Sequence, residues 1–233
     1  MRVRATAVSK GPGGRALPPI DVAMHSGTAV FVEAETAQRP TVLGLIVSGR
    51  MKPDSGEVSI DDEPNSRALR RRVALVDAPD VSEPHGDVLL AHVVAEELMF
   101  AGRFGGPLAV RQELERLGMR EFARLPIGDL APEARVRALC ELALQRPGVE
   151  GLVLVSPDRH GGAPEGWWRI ACELADDGAA VLVIAGRAAR AAIAAHPEGW
   201  GTGEVMPLRE GPGSPAVEAV ETVDANGAEE ERA

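Results

Sequence analysis

The sequence predicts an α/β domain with a mostly parallel core sheet. Three observations carry that reading. Apolar runs without alternation, at Ala29–Val32, Gly151–Val155 and Ala180–Ala185, suit strands covered on both faces. Segments of helical period separate the strands, as crossovers between parallel strands require. A block from about 79 to 149 shows only helical period and falls between two sheet-forming halves. Hydrophobic residues make up 45% of the 233, but aromatics only 3% with no tyrosine, so Val, Leu and Ala must fill the core.

Taken in order, Arg2–Ser9 alternates through Val3, Ala5 and Ala7 as an exposed strand does, and Gly11–Gly14 turns the chain. Ile20–Met24 is a second strand, closed by His25, Ser26 and Gly27. After Ala29–Val32, Thr36 or Gln38 is placed to cap a helix over Thr41–Val47, and Pro40 is acceptable in its first turn. Gly49 and the turn Pro53–Gly56 lead to strand Glu57–Ile60; a basic stretch, Leu69–Arg72, precedes strand Val73–Val76. In the helical block, Leu89, Val93, Glu97 and Phe100 mark one segment. Leu114, Leu117, Met119, Phe122 and Leu125 mark a second. Ala131–Gln145 is a third, with Val136, Leu139, Leu142 and Ala143 inward. Beyond strand Gly151–Val155 and the loop Gly161–Pro164, Glu165–Ala175 is a helix with Trp167, Ile170, Ala171 and Leu174 on one face. Strand Ala180–Ala185, a short helix Ala188–Ala195 and a last strand Val205–Leu208 complete the domain, expected to span 1–208. Residues 209–233 are Gly, Pro, Ala and acid, and are expected to be disordered.

A net charge of −10 disfavours nucleic acid and anionic lipid as partners. Cys140 and Cys172 have no metal spacing and read as buried thiols. No stretch approaches ~18 continuous apolar residues and the first residues lack an apolar signal core, so a cytoplasmic protein, or one held at the inner face of the cell membrane by a partner, is expected.

Strand, loop, helix, turn and strand from Ala29 to Ile60 is the order of a phosphate-binding loop unit. Further phrases follow: PDSGEV at Pro53–Val58, RRRVALV at Arg70–Val76, VAEELMFAGR at Val94–Arg103 and IGDL at Ile127–Leu130. Then come Arg135-Val136-Arg137 before an Ala/Leu helix, GLVLVSP at Gly151–Pro157 and ELADDGAAVLVIAG at Glu173–Gly186. In this order and spacing they resemble the ATP-binding cassette (ABC) nucleotide-binding domain over about Val3 to Leu208. The resemblance implies a P-loop NTPase-like fold with an N-terminal β-subdomain, a mostly parallel core sheet and a helical subdomain at about 79–149.

The resemblance also implies positions for nucleotide contacts, and this chain departs from nearly all of them. The phosphate-loop glycines fall on Ala34, Ala37 and Arg39, and the lysine on Pro40, which offers no charge and no N–H. Glu35 beside them repels phosphate, while Thr41 keeps the Mg²⁺-ligating hydroxyl position. The Q-loop glutamine falls on Ala78 and the signature on Leu130–Ala134, where Pro132 and Glu133 replace phosphate-gripping residues. The Walker B Asp-Glu pair falls on Val155 and Ser156, with Pro157 retained; the D-loop Asp falls near Gly162 and the H-loop His on Gly186. No aromatic precedes Phe31 to stack on adenine. Lost contacts of this kind each cost on the order of several kcal/mol and act on one site.

No catalytic residue is assigned. Arg39 and Thr41 are the candidates for phosphate, Thr41 and Asp158 for a metal; the plain readings are a solvated loop arginine, a first-turn threonine and a loop or cap aspartate. His160 reads as a surface histidine. The expected function is an inactive, pseudo-ATPase subunit with no cofactor, a structural or regulatory partner of an integral membrane protein or an ABC-type paralogue. Its docking face is expected within Asp80–His92 and Val94–Arg103, and a homodimer is open. The alternative is an ATP- and Mg²⁺-dependent ABC ATPase with a divergent site, for which Arg39, Thr41 and Asp158 must converge; a binding module using the vacated pocket is a third reading.

Overall fold

The computed structural model describes residues 1–35, 39–195 and the backbone of 203–206. Strands β1 (Arg2–Lys10), β2 (Leu17–His25) and β4 (Ser55–Ile60) form an antiparallel sheet in the order β2-β1-β4. Val3 lies opposite both Met24 and Ile60, so one apolar layer crosses all three strands. The second sheet is parallel, with β3 (Thr28–Glu33), β5 (Val73–Val76), β6 (Gly151–Val155), β7 (Ala180–Ala185) and β8 (Gly203–Met206) in the order β5-β6-β7-β3-β8. Every residue of β3, β5, β6 and β7 is buried, as the unbroken apolar runs require.

Helix α1 (Arg39–Val47) lies on one face of the parallel sheet, and its Leu43 and Ile46 share a core with Val3 and Met24 of the antiparallel sheet and Val153 and Leu182 of the parallel one. Gly44 permits that approach, because a Cβ there would sit 2.9 Å from Val155 Cγ2 and 3.0 Å from Leu75 Cδ1. The other face carries α3 (Leu90–Phe100), α4 (Pro107–Arg116), α5 (Pro132–Leu144) and α6 (Pro164–Asp176). The low aromatic content is concentrated there: Phe31 stacks on Trp167 at 6.5 Å and meets Trp168 edge-on at 5.9 Å, all three fully buried. Helix α7 (Arg187–Ala194) follows β7 directly. Both cysteines are free and buried, and burial pushes both thiols up, Cys172 to about 12.

Three expectations need correction. The basic stretch before β5 is itself a helix, α2 (Ser66–Arg72), whose N-cap Asn65 Oδ1 accepts from the Ala68 N–H at 2.9 Å. The helical period through Leu114–Leu125 is broken, since α4 stops at Arg116 and Gly118 reverses the chain at φ 67° into a 3₁₀ turn at Arg120–Phe122. Leu114, Leu117 and Met119 remain buried across that break, so the apolar spacing came from a turn packing beneath a helix. The last strand begins earlier than Val205, at Gly203. Thr36, Gln38 and the segment 209–233 lie outside the described residues.

Gly49 ends the α1 turn at φ 72°, and a Cβ there would lie 2.7 Å from Leu69 Cβ and 2.9 Å from the Ser66 carbonyl oxygen. Left-handed strain and this clash act together, so Gly49→Ala should lose about 2–4 kcal/mol of stability. Urea unfolding at neutral pH checks it; an unchanged midpoint would show that α2 does not pack as described.

Candidate functional site

In a parallel sheet with this crossing pattern, loops at the carboxyl ends of the strands form the natural ligand-binding edge. Here that edge is built by Glu33 at the end of β3 and Glu35 after it, Asp77 after β5, the turn Ser156–His160 after β6 and Gly186 after β7. Two adjacent strand ends carry non-glycine residues in the left-handed region, Asp77 at φ 55° and Ser156 at φ 49°.

The Asp77 carboxylate is wholly buried and takes three hydrogen bonds and one further ion-pair contact. Arg135 of α5 donates from Nη2 to Oδ1 at 2.7 Å and from Nε to Oδ2 at 3.2 Å. Arg159 Nη2 lies 3.1 Å from Oδ1, and His160 Nε2 is 2.9 Å from Oδ2. Arg135, itself 2% exposed, donates its remaining Nη1 to the Ile127 carbonyl at 3.2 Å. Arg159 also reaches Glu83 at 3.2 Å and the Val155 carbonyl at 2.8 Å. Burial opposes ionisation of Asp77. The bonds from His160 and Arg135 and the charges of Arg135 and Arg159 outweigh it, holding the carboxyl below its ordinary range.

His160 is therefore not a surface residue: it leaves 20% of its side chain exposed and is spent on Asp77. Asp77, Glu83 and His160 offer ligand atoms within 4.8 Å of one another. The Arg135 and Arg159 guanidinium groups already hold the carboxylate oxygens a cation would need. The cluster fits a cross-link between the helical block and the sheet better than a metal centre.

A second acidic group lies at β3 and β7. Asp158 Oδ2 accepts from the Gly186 N–H at 3.0 Å, and Glu35 Oε1 accepts from the Arg187 N–H at 2.7 Å. These two carboxylates cap α7, where a negative charge meets the positive end of the helix dipole. Glu33 is paired with Arg190 at 2.7 Å and with Arg187 at 3.4 Å. Asp158 thus acts in the capping role. Thr41 is half-buried and Pro40 buried in the first turn of α1. Arg39 begins that helix, and its Nε is buried with no hydrogen-bond partner among the described residues. The structure unites Asp158 with Glu35 and Gly186, and it leaves Arg39 and Thr41 on a separate element.

The sequence reading missed Asp77, Arg135 and Arg159. A signal for Arg135 was present: it stands four residues before Leu139 and seven before Leu142, on the inward stripe of α5. An arginine on such a stripe requires a buried anion.

Comparisons with known proteins agree on the architecture. No protein-family profile matches the sequence. A nucleotide-free ATP-binding cassette from an ABC transporter superposes with a TM-score of 0.59 at 18% identity, covering 88% of each chain. A dimeric bacterial ABC transporter cassette gives 0.59 at 20% identity over 78% of this chain and 87% of its own. CbiO1 from Clostridium perfringens, part of the ABC transporter complex CbiONQ, gives 0.57 at 19% over 79% and 77%. A curated relative, the ribose import ATP-binding protein RbsA 3 of Rhizobium etli, is 30% identical over 91 residues, 39% of this chain. The match spans only 17% of that relative's length. The fold is that of an ABC cassette, a P-loop NTPase-like α/β domain.

Removing one member of the buried network strands its partners, so Asp77→Ala should cost about 3–5 kcal/mol in urea unfolding. A cost under about 1 kcal/mol would show that the network carries no strength. The folded carboxyl is depressed, so its contribution is complete above the unfolded value of about 3.9 and is lost as pH falls through the folded value. Stability should therefore decline below about pH 4, and less steeply in Asp77→Asn; equal slopes in the two proteins would contradict this.

Proposed function

We propose that this chain is a non-catalytic ABC-type cassette subunit, a structural or regulatory partner of an integral membrane protein. The observation that supports it is the state of the strand-end edge. Where an ABC ATPase presents donors to phosphate, Glu35 and Asp158 present carboxylates already bonded to the α7 N-terminus. Pro40 stands at the lysine position. A phosphate brought within about 4 Å of either carboxylate is opposed by about 4 kcal/mol per unit charge at an effective dielectric of about 20. No acidic pair follows β6 directly, since Val155 ends that strand, Ser156 and Pro157 come next, and the nearby Asp77 is committed to Arg135.

The docking role rests on the cassette likeness and on exposed apolar side chains of the helical block. Met99, Phe100, Phe104 and Leu108 are 56–85% exposed around the end of α3 and the start of α4. No helix among the described residues is long and apolar enough to cross a membrane, so contact with a bilayer would come through a partner.

One observation favours the alternative, a divergent ATP-binding ATPase: the buried, unpartnered Nε of Arg39 at the start of α1. Calorimetry and thermal shift with Mg-ATP discriminate the two. A ligand at 100 times its Kd adds about 2.7 kcal/mol, which shifts a melting curve by several degrees. We expect no heat and no shift at about 5 mM Mg-ATP, together with retention of an integral membrane protein on the tagged full-length chain in detergent extracts of its own cells. Micromolar binding abolished by Arg39→Ala would overturn the non-catalytic reading.

A further inference from the structure

Three cations without a carboxylate partner among the described residues, Arg50, Lys52 and Arg70, line one cleft of about 390 Å³. It opens between the α1–β4 turn, β4 and α2, at the end of α1 remote from Arg39. Its volume suits a small-molecule site. Arg50 Nη1 donates to the Ser48 and Val73 carbonyls at 3.1 and 2.9 Å, and Arg70 Nη1 to the Gly49 carbonyl at 2.9 Å. Those bonds hold both guanidinium groups at the cleft and leave their remaining donors for a ligand. Glu57 is the one carboxylate among the described lining residues. Burial, with Arg146 and Arg70 nearby, pulls the Arg50 guanidinium down from its ordinary value, as befits a cation short of counter-charge.

The backbone adds a donor. Ile60 exchanges both its bonds with Glu63, N–H to carbonyl at 2.8 and 3.0 Å, so it faces away from β1. Alternate residues of an antiparallel strand face the same way, so Val58 also turns its N–H and C=O off the free edge of β4. Val58 lines the cleft, and its side chain is half-buried there with Met51 and Pro53. No aromatic stands among the described lining residues, so a planar base has nothing to stack on. We propose that this cleft binds an organic carboxylate with an aliphatic body, its charge on Arg50, Lys52 and Arg70 and its chain against Met51, Pro53 and Val58.

Charge and walls together select that class. A bare phosphate would use the cations and leave the apolar walls wet. A neutral alcohol would cover the walls and leave three cations facing one carboxylate. Each methylene fully buried against the walls raises affinity by up to about fourfold, so octanoate should bind far more tightly than acetate. The bound anion would fasten α2, and β5 behind it, to the antiparallel sheet that holds β4. The proposal is independent of whether the strand-end edge takes nucleotide.

Lysine scarcity makes the test direct. The chain has two lysines, Lys10 and Lys52, and Lys10 Nζ is 2.6 Å from Asp54. Acetic anhydride acetylates only the unprotonated amine, which loses its proton as acetate departs. A carboxylate seated on Lys52 keeps that amine protonated and covered. With a Kd of about 1 mM, an ordinary strength for so small a ligand, about 3 mM octanoate should slow Lys52 acetylation of the full chain about fourfold. Mass mapping reads both lysines, and the Lys10 rate should not change. In Arg70→Gln the octanoate concentration that halves the Lys52 rate should rise at least about fivefold. In Glu57→Gln, which removes the opposing charge at an exposed position, it should fall. Absence of protection, or equal slowing of both lysines, overturns the proposal. Equal protection by octanol, meaning apolar contact alone, overturns it, and so does equal protection by inorganic phosphate, meaning an adventitious ion only. An unchanged midpoint in Arg70→Gln overturns it too; if that variant melts early, an unchanged midpoint in Glu57→Gln does so.

Discussion

The fold's sheet edge depends on one buried ion pair, Asp77 with Arg135. Its two partners come from a strand end and from a helix beginning 55 residues later in the chain, and neither can be buried alone. The pair is fully satisfied: Arg135 spends Nε and Nη2 on the carboxylate and Nη1 on Ile127, and Asp77 takes Arg159 and His160 on its outer lone pairs. A salt bridge of this kind yields little net stability relative to apolar packing, because desolvation offsets most of the attraction. What it supplies is position. Four segments, the end of β5, the Ile127 turn, α5 and the turn after β6, meet at this one pair.

That placement bears on function because it fills the strand-end edge with satisfied groups. A site for phosphoryl chemistry needs donors left unpaired in the resting protein, ready for the charge that develops on the ligand. Here the donors of the α7 N-terminus point at Glu35 and Asp158, and the arginines near β6 point at Asp77 and Glu83. Arg39 is the exception, and its buried Nε makes it the residue on which the two functional readings divide. The cassette fold is present, and the carboxylates of this edge are bonded within the chain.

Much of the architecture was legible because the parallel strands are buried on both sides. GLVLV and AVLVIA admit no polar residue, and a run of that length between turns has few other places to go. The helical block was legible in kind but not in detail. The apolar spacing from Leu114 to Leu125 is met equally by one helix or by a helix and a turn, and Gly118 decided for the second. Helix α2 escaped because its face is nearly all arginine, with Leu69 its one fully buried residue, so no apolar period marks it. The Asp77 network escaped for a different reason. Its members are 58 and 83 residues apart, and hydrophobic periodicity carries no information on which buried arginine finds which buried acid.

The two ends of the parallel strands differ in electrostatic character, and that difference ties the readings together. At the carboxyl ends Glu33, Glu35, Asp77 and Asp158 are each bonded, to cations or to a helix terminus, so acid is consumed internally. At the amino ends, among the described residues, Lys52, Arg67 and Arg71 have no carboxylate partner, and Arg50 and Arg70 bond to carbonyl oxygens. A catalytic cassette needs positive potential at its phosphate edge. Among the described residues, a group of cations without carboxylate partners lies instead around α2 and the α1–β4 turn, while Arg39 keeps a buried, unpartnered Nε at the start of α1. Charge placement, more than any single motif residue, is what the proposed non-catalytic role rests on.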